Sequence, residues 1–155
     1  MLMTGPHYVV GRQFASESYT VEAGQIVAFA MQFDPQPFHT DAVAAGASPF
    51  GTLIASGWHT ASITMKLLVS SGAFAEDGDG SGGTIGAGAD IRWVRPVCAG
   101  DTLAVASEIV AIAPVLSNPA RCAVTFRIET RNQRGEMVQA MNAKIVVPKA
   151  LTAID

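Results

Sequence analysis

The chain is short of charge, of aromatics and of cysteine, and it has no long apolar run. Only 15% of its 155 residues are Asp, Glu, Lys or Arg, and the formal net charge is −3. Without a basic excess there is no electrostatic footprint for a phosphate backbone, so no nucleic-acid partner is expected. No stretch reaches the roughly 20 apolar residues that a bilayer-crossing helix needs, so no membrane partner is expected either. The opening MLMTGPHYVV lacks a basic region followed by an apolar core and is not expected to act as a secretory signal. The only two cysteines, Cys98 and Cys122, stand far apart and fit no metal or redox spacing. Buried free thiols in a reducing, cytoplasmic compartment are the expectation. Ser56 and Ser62 lack a G-x-S-x-G setting, which argues against a nucleophilic serine.

What is there is apolar. Hydrophobic residues make up 49% of the chain, high for so little charge. A single domain over residues 1–155 can bury much of this, and a partner subunit would cover more.

The pattern changes along the chain. QFASESYTV (13–21) reads as a lead-in strand, with Thr20 as a helix N-cap and Glu22 in the first turn. Ile26, Val27, Ala30 and Phe33 follow at helical spacing, with Phe29 on the flank. Pro35 disfavours helix at Asp34, so the helix should stop there. Residues 39–52 read as one helical turn and a loop. In LIASGWHTASITMKLLVSSG (53–72) apolar residues nearly encircle the segment, which predicts a buried helix stopped at Gly72. AFAEDGDGSGG (73–83) reads as a loop. Asp77, Asp79, Ser81 and Gly82 imitate half a calcium loop, but its twelfth position is Gly88, not Glu.

Four strand-like blocks follow, at 84–97, 101–113, 122–132 and 136–148. Ala99-Gly100-Asp101, Asn118-Pro119 and Arg134-Gly135 mark the turns between them. GTIGAGAD (83–90) lacks the third glycine of a dinucleotide fingerprint, and its glycines suit close strand–helix packing. With no strand–helix alternation, the fold class is α+β, a curled antiparallel meander wrapped around a long central apolar helix.

Two places could carry chemistry. In DPQPFH, Pro35 and Pro37 each remove a donor and fix φ, so Asp34 and His39 sit on a stiff elbow. Such an elbow can aim a carboxylate and an imidazole at one water, a general acid–base pair. The same residues also fit a plain polar turn. In IASGWHT, Gly57 at the mouth of the helix leaves an orphan N–H with no Cβ beside it. That amide could receive a developing oxyanion, or the glycine could serve tight packing. His59 reads as a satisfied core histidine or a pocket residue, and His7 as solvated. Trp58 and Trp93 read as core or interface aromatics. Arg92 and Arg95 could meet phosphates or pair with Asp90 or Asp101.

These pieces together resemble the MaoC-like dehydratases, the (R)-specific enoyl-CoA hydratases of the hotdog fold. Asp34-Pro35-Gln36-Pro37-Phe38-His39, then Asp41 and Ala44, then Ile54-Ala55-Ser56-Gly57 follow that family's signature. RWVRPVCAGDTL (92–103) and RGEMVQAMNAKIVVP (134–148) resemble its later strands. Gln36 replaces the family's usual Asn, and Ser56 stands where His is frequent, with His59 three residues on. The resemblance implies a hotdog fold and a hydro-lyase of fatty acid metabolism, adding water reversibly and syn to a trans-2-enoyl thioester. The substrate would be an acyl-CoA or acyl-carrier thioester. Asp34, His39 and Gly57 would be catalytic, and Gln36, Phe38, Ser56, Trp58 and His59 would line the substrate. No metal or redox cofactor is implied, but a homodimer or higher homo-oligomer is, in agreement with the apolar composition. A thioesterase, or a non-catalytic acyl-binding subunit of a heteromeric dehydratase, would carry the same fold.

Overall fold

The computed structural model describes residues 5–75 and 84–154. Asp77, Asp79, Ser81 and Gly82 lie outside them. The elements run β1 (Gln13–Ala15), β2 (Tyr19–Thr20), α1 (Ala23–Phe33), α2 (Pro37–Thr40), α3 (Ala42–Gly46) and α4 (Gly57–Ser70). β3 (Ile85–Trp93), β4 (Thr102–Val115), β5 (Asn118–Arg131), β6 (Met137–Pro148) and a 3-10 turn at Lys149–Leu151 complete the chain. No described helix is long and apolar enough to cross a membrane.

The sheet is antiparallel, in the order β1-β4-β5-β6-β3, with β2 also pairing β4. It is not a simple meander. β3 crosses over and pairs β6, so it forms an edge far from its sequence neighbour β4. On β5, alternate residues Cys122, Val124, Phe126, Ile128 and Thr130 are buried, the period of a half-buried strand. They face Ile63, Leu67 and Leu68 of α4 in one core with Val105 and Ile109 of β4. The sheet thus curls around α4, the hotdog arrangement.

Several local expectations need correction. The lead-in strand is two short strands, both taken by β4. Thr20 is spent in β2, its hydroxyl bonded to that of Thr102, so it does not cap α1. Glu22 is the N-cap instead, in a reciprocal capping box with Gln25. Phe33 is exposed, because α1 buries only Ile26 and Ala30. The turn expected at Asn118-Pro119 is Leu116-Ser117; Asn118 already pairs Val115, and Pro119 falls in the irregular end of the ladder. Gly86 and Gly88 flank a bulge on the open edge strand, with nothing near enough to demand a glycine. His7 is half-buried and bonded to the Ala73 carbonyl at 3.0 Å.

The central helix is also less enclosed than its pattern predicts. Trp58, Met65 and Val69 lie exposed along one stripe of α4. β3 beside it is exposed along nearly its whole length. Its stop is as expected, with Gly72 at φ +81°. Arg95 pairs Glu136 at 3.3 Å, while Asp101 holds the Cys98 N–H and the Gln133 amide, so neither expected arginine–aspartate pair is the one used by Arg95. Cys98 and Cys122 are both free, the second fully buried.

Candidate active site

The site begins where α1 ends. Asp34 caps it with φ −153° and ψ 69°, pushed out of the helical region by Pro35. Gln36 turns the chain, its N–H bonded back to the Asp34 carbonyl at 2.8 Å, and Pro37 opens α2. His39 then lies on the inner side of this one-turn helix, only 5% exposed. The returning chain fixes it. The Ile54 N–H donates to the Phe38 carbonyl at 3.2 Å, and His39 Nδ1 donates to the Ile54 carbonyl at 2.7 Å. A carbonyl only accepts, so a proton sits on Nδ1, and the other ring nitrogen, Nε2, is turned toward Asp34. Nε2 stands 3.3 Å from Asp34 Oδ2.

Asp34 is held from two more directions. Gln36 Nε2 donates to Oδ1 at 2.7 Å, and the Ser56 hydroxyl donates to Oδ2 at 2.7 Å. Those bonds, Gln36's first and then Ser56's, hold the carboxyl below its ordinary range against the opposing effect of burial, with His39 adding a smaller share. Asp34 is thereby kept as a carboxylate. Ser56 serves twice, since it is also the N-cap of α4 and accepts the Trp58 N–H at 3.3 Å.

One residue further, the Gly57 N–H opens α4 and meets no acceptor among the described residues. Beside it runs a cleft of about 380 Å³. Phe38, His39, Phe50 and Ile54 line one side, Gly57 and Thr60 the helix mouth, and Trp93 through Val97 the other. Asp34, His39, Ser56 and Gly57, from three separate helices and their caps, are thus brought together.

The other expected contacts divide. Phe38 lines the cleft, packed edge-on against Phe50 at 5.4 Å. Gln36 and Ser56 touch Asp34 rather than the cleft. Trp58 turns outward, 58% exposed. His59 is buried, but it is not a satisfied core histidine: its Nδ1 has no partner, and its ring stacks on Phe29 at 4.7 Å. Burial lowers its pKa, so it is kept neutral. Sequence reasoning missed Phe50, Thr60 and Trp93 as cleft walls. Only the β3–β6 register, invisible in the local pattern, brings Trp93 there. Among the described residues, no three His, Cys, Asp or Glu side chains gather as a metal site would require.

Comparison with known proteins decides the family. Residues 8–129 match the model of the MaoC like domain. The chain belongs to the MaoC-like domain family. A MaoC-like dehydratase from Rhodospirillum rubrum, seen in a crystal structure, is 51% identical, with a TM-score of 0.82 over 90% of this chain and 92% of that one. The unliganded R-hydratase PhaJ1 from Pseudomonas aeruginosa is 27% identical, with a TM-score of 0.66 over 92% and 85% of the two chains. The uncharacterized protein YdeM of Bacillus subtilis is 31% identical over 105 residues, 66% of this chain and 70% of that one. The MaoC-like fold here therefore has relatives named as dehydratases and hydratases.

Proposed function

We propose that this MaoC-like protein is an (R)-specific enoyl-thioester hydratase, working reversibly as a 3-hydroxyacyl-thioester dehydratase. The observation that carries the reading is the approach of His39 Nε2 to Asp34 Oδ2, 3.3 Å apart, with His39 and the unclaimed Gly57 amide lining one cleft. With its imidazole neutral, His39 offers the Nε2 lone pair beside the carboxylate, and a water can donate a proton to each. As its oxygen adds to the β-carbon of a bound enoyl thioester, the pair takes one proton from it. The pair returns one proton to the α-carbon on the same face, and the enzyme is unchanged. Negative charge grows on the thioester carbonyl oxygen during the addition. The Gly57 N–H, at the positive end of the 14-residue helix α4, is free to hold it.

The exposed stripe of α4 and the open edge of β3 support a homodimer. Two such edges can pair with each other, burying Trp58, Met65, Val69 and Ile85. The test of function is incubation of the purified protein with crotonyl-CoA. The reading requires loss of the conjugated enoyl absorbance with no release of free thiol and formation of the (R)-3-hydroxy product. Thiol release instead would identify a thioesterase, with water attacking the carbonyl carbon. Binding without turnover would identify a carrier subunit.

A further inference from the structure

Behind the cleft lies a buried polar chain that the acid–base pair does not use. Gln139, Thr64 and Thr130 are all fully buried. The Gln139 amide donates to Thr64 Oγ1 at 3.1 Å, and the Thr64 and Thr130 hydroxyls bond each other at 2.7 Å. The remaining end of that amide, Oε1, accepts the indole N–H of Trp93 at 3.1 Å. A polar network inside a sheet is costly unless every member is satisfied, and apolar packing would have been the simpler core. This network ends on one side chain that faces outward: Trp93 is 45% exposed and lines the cleft. Trp93 and Gln139 are direct cross-strand partners, so the bond follows from the register of β3 on β6.

The indole is held on its other side too. It lies against Gly57 so closely that a Cβ there would stand 2.4 Å from Cε2 and 2.6 Å from Cδ2. Any larger residue at position 57 would displace the ring. Trp58 meets it edge-on at 5.1 Å. Three contacts thus fix the angle of a large flat ring beside the free amide.

We propose that Trp93 is the wall against which the acyl thioester lies, and that Gln139 is a positioning residue acting through it. The ring covers one flank of Gly57, so a carbonyl oxygen bound for that N–H must approach along the indole face. An enoyl thioester is planar over its conjugated atoms, and offset stacking on an indole aligns such a plane. Phe38 and Phe50 line the same cleft. Trp93 therefore sets the direction of approach, and Gln139 sets the angle of Trp93. The inference rests on the hydratase reading for the nature of its ligand.

The chain has two tryptophans, so Trp58→Phe leaves Trp93 as the sole indole reporter. In that background, titration with butyryl-CoA, a saturated thioester that cannot be hydrated, should change Trp93 emission saturably. Adding Gln139→Met should alter the emission of the free protein and lower kcat/KM for crotonyl-CoA roughly 10- to 100-fold, mostly through kcat, as misplacement does. With Trp93→Phe already present, Gln139→Met should cost nothing further, whereas a merely structural glutamine would cost the same in both settings. Saturable emission change without any hydration would sink the hydratase reading and leave the Trp93 wall standing. No emission change with any acyl thioester, or equal Gln139→Met losses in the presence and absence of Trp93, would overturn the inference.

Discussion

At the residue scale, the site depends on how one carboxylate is held. Gln36 and Ser56 donate to its two oxygens, and His39 faces it from a third side. The result is a carboxyl whose folded pKa lies below the ordinary 3.8. The sign of the linkage follows. A depressed folded pKa gives stability that is fully present above the unfolded value and is lost as pH falls through the folded one. Thermal unfolding of wild type and Asp34→Asn as a function of pH checks this. The wild type should hold its advantage at neutral pH and lose it progressively below about pH 4. A difference that stays constant down to strongly acidic pH would mean that Asp34 is not held as described. His39 differs, because its bond to Ile54 is buried and its ring helps seat the returning chain.

At the scale of elements, Ser56 joins the helix start to the proposed acid–base pair. It caps α4 and donates to Asp34 at once. Ser56→Ala should cost about 2 kcal/mol in chemical denaturation, the usual range for a lost cap and its hydrogen bond. It should also raise the Asp34 pKa and shift the acidic limb of the pH–rate profile upward, since the bond removed favours the carboxylate. A stability loss with an unmoved limb would make Ser56 a cap and nothing more. The two prolines made the elbow legible in the sequence, because each constrains its own φ and its neighbour. Apolar periodicity likewise exposed α4 and the four long strands. Pairing partners were not legible. Thr20 looked like a cap until β4 claimed it, and the place of β3 is set by its long ladder with β6, which no local signal announces. For the same reason Gln139 and Trp93 gave no sign of working together.

At the scale of the molecule, part of the apolar excess of the composition lies along α4 and the edge strand β3. Trp58, Met65 and Val69 on α4 and Ile85 on β3 remain exposed in one chain. Light scattering should give about twice the chain mass of 16.1 kDa, and Val69→Glu should shift the protein toward monomer. A wild type that stays monomeric at micromolar concentration would rule out this face as a self-contact. On the proposed reading, three helices and their caps bring a carboxylate and an imidazole to one water and a bare amide to one thioester. The most direct measurement is kcat for crotonyl-CoA hydration in wild type, Asp34→Asn, His39→Ala and the double variant. If the two groups share one water, each single change should lower kcat by about 10²–10⁴-fold, and the double change should add little. Full activity in either single variant, or losses that simply multiply in the double, would mean that Asp34 and His39 do not act on one shared water.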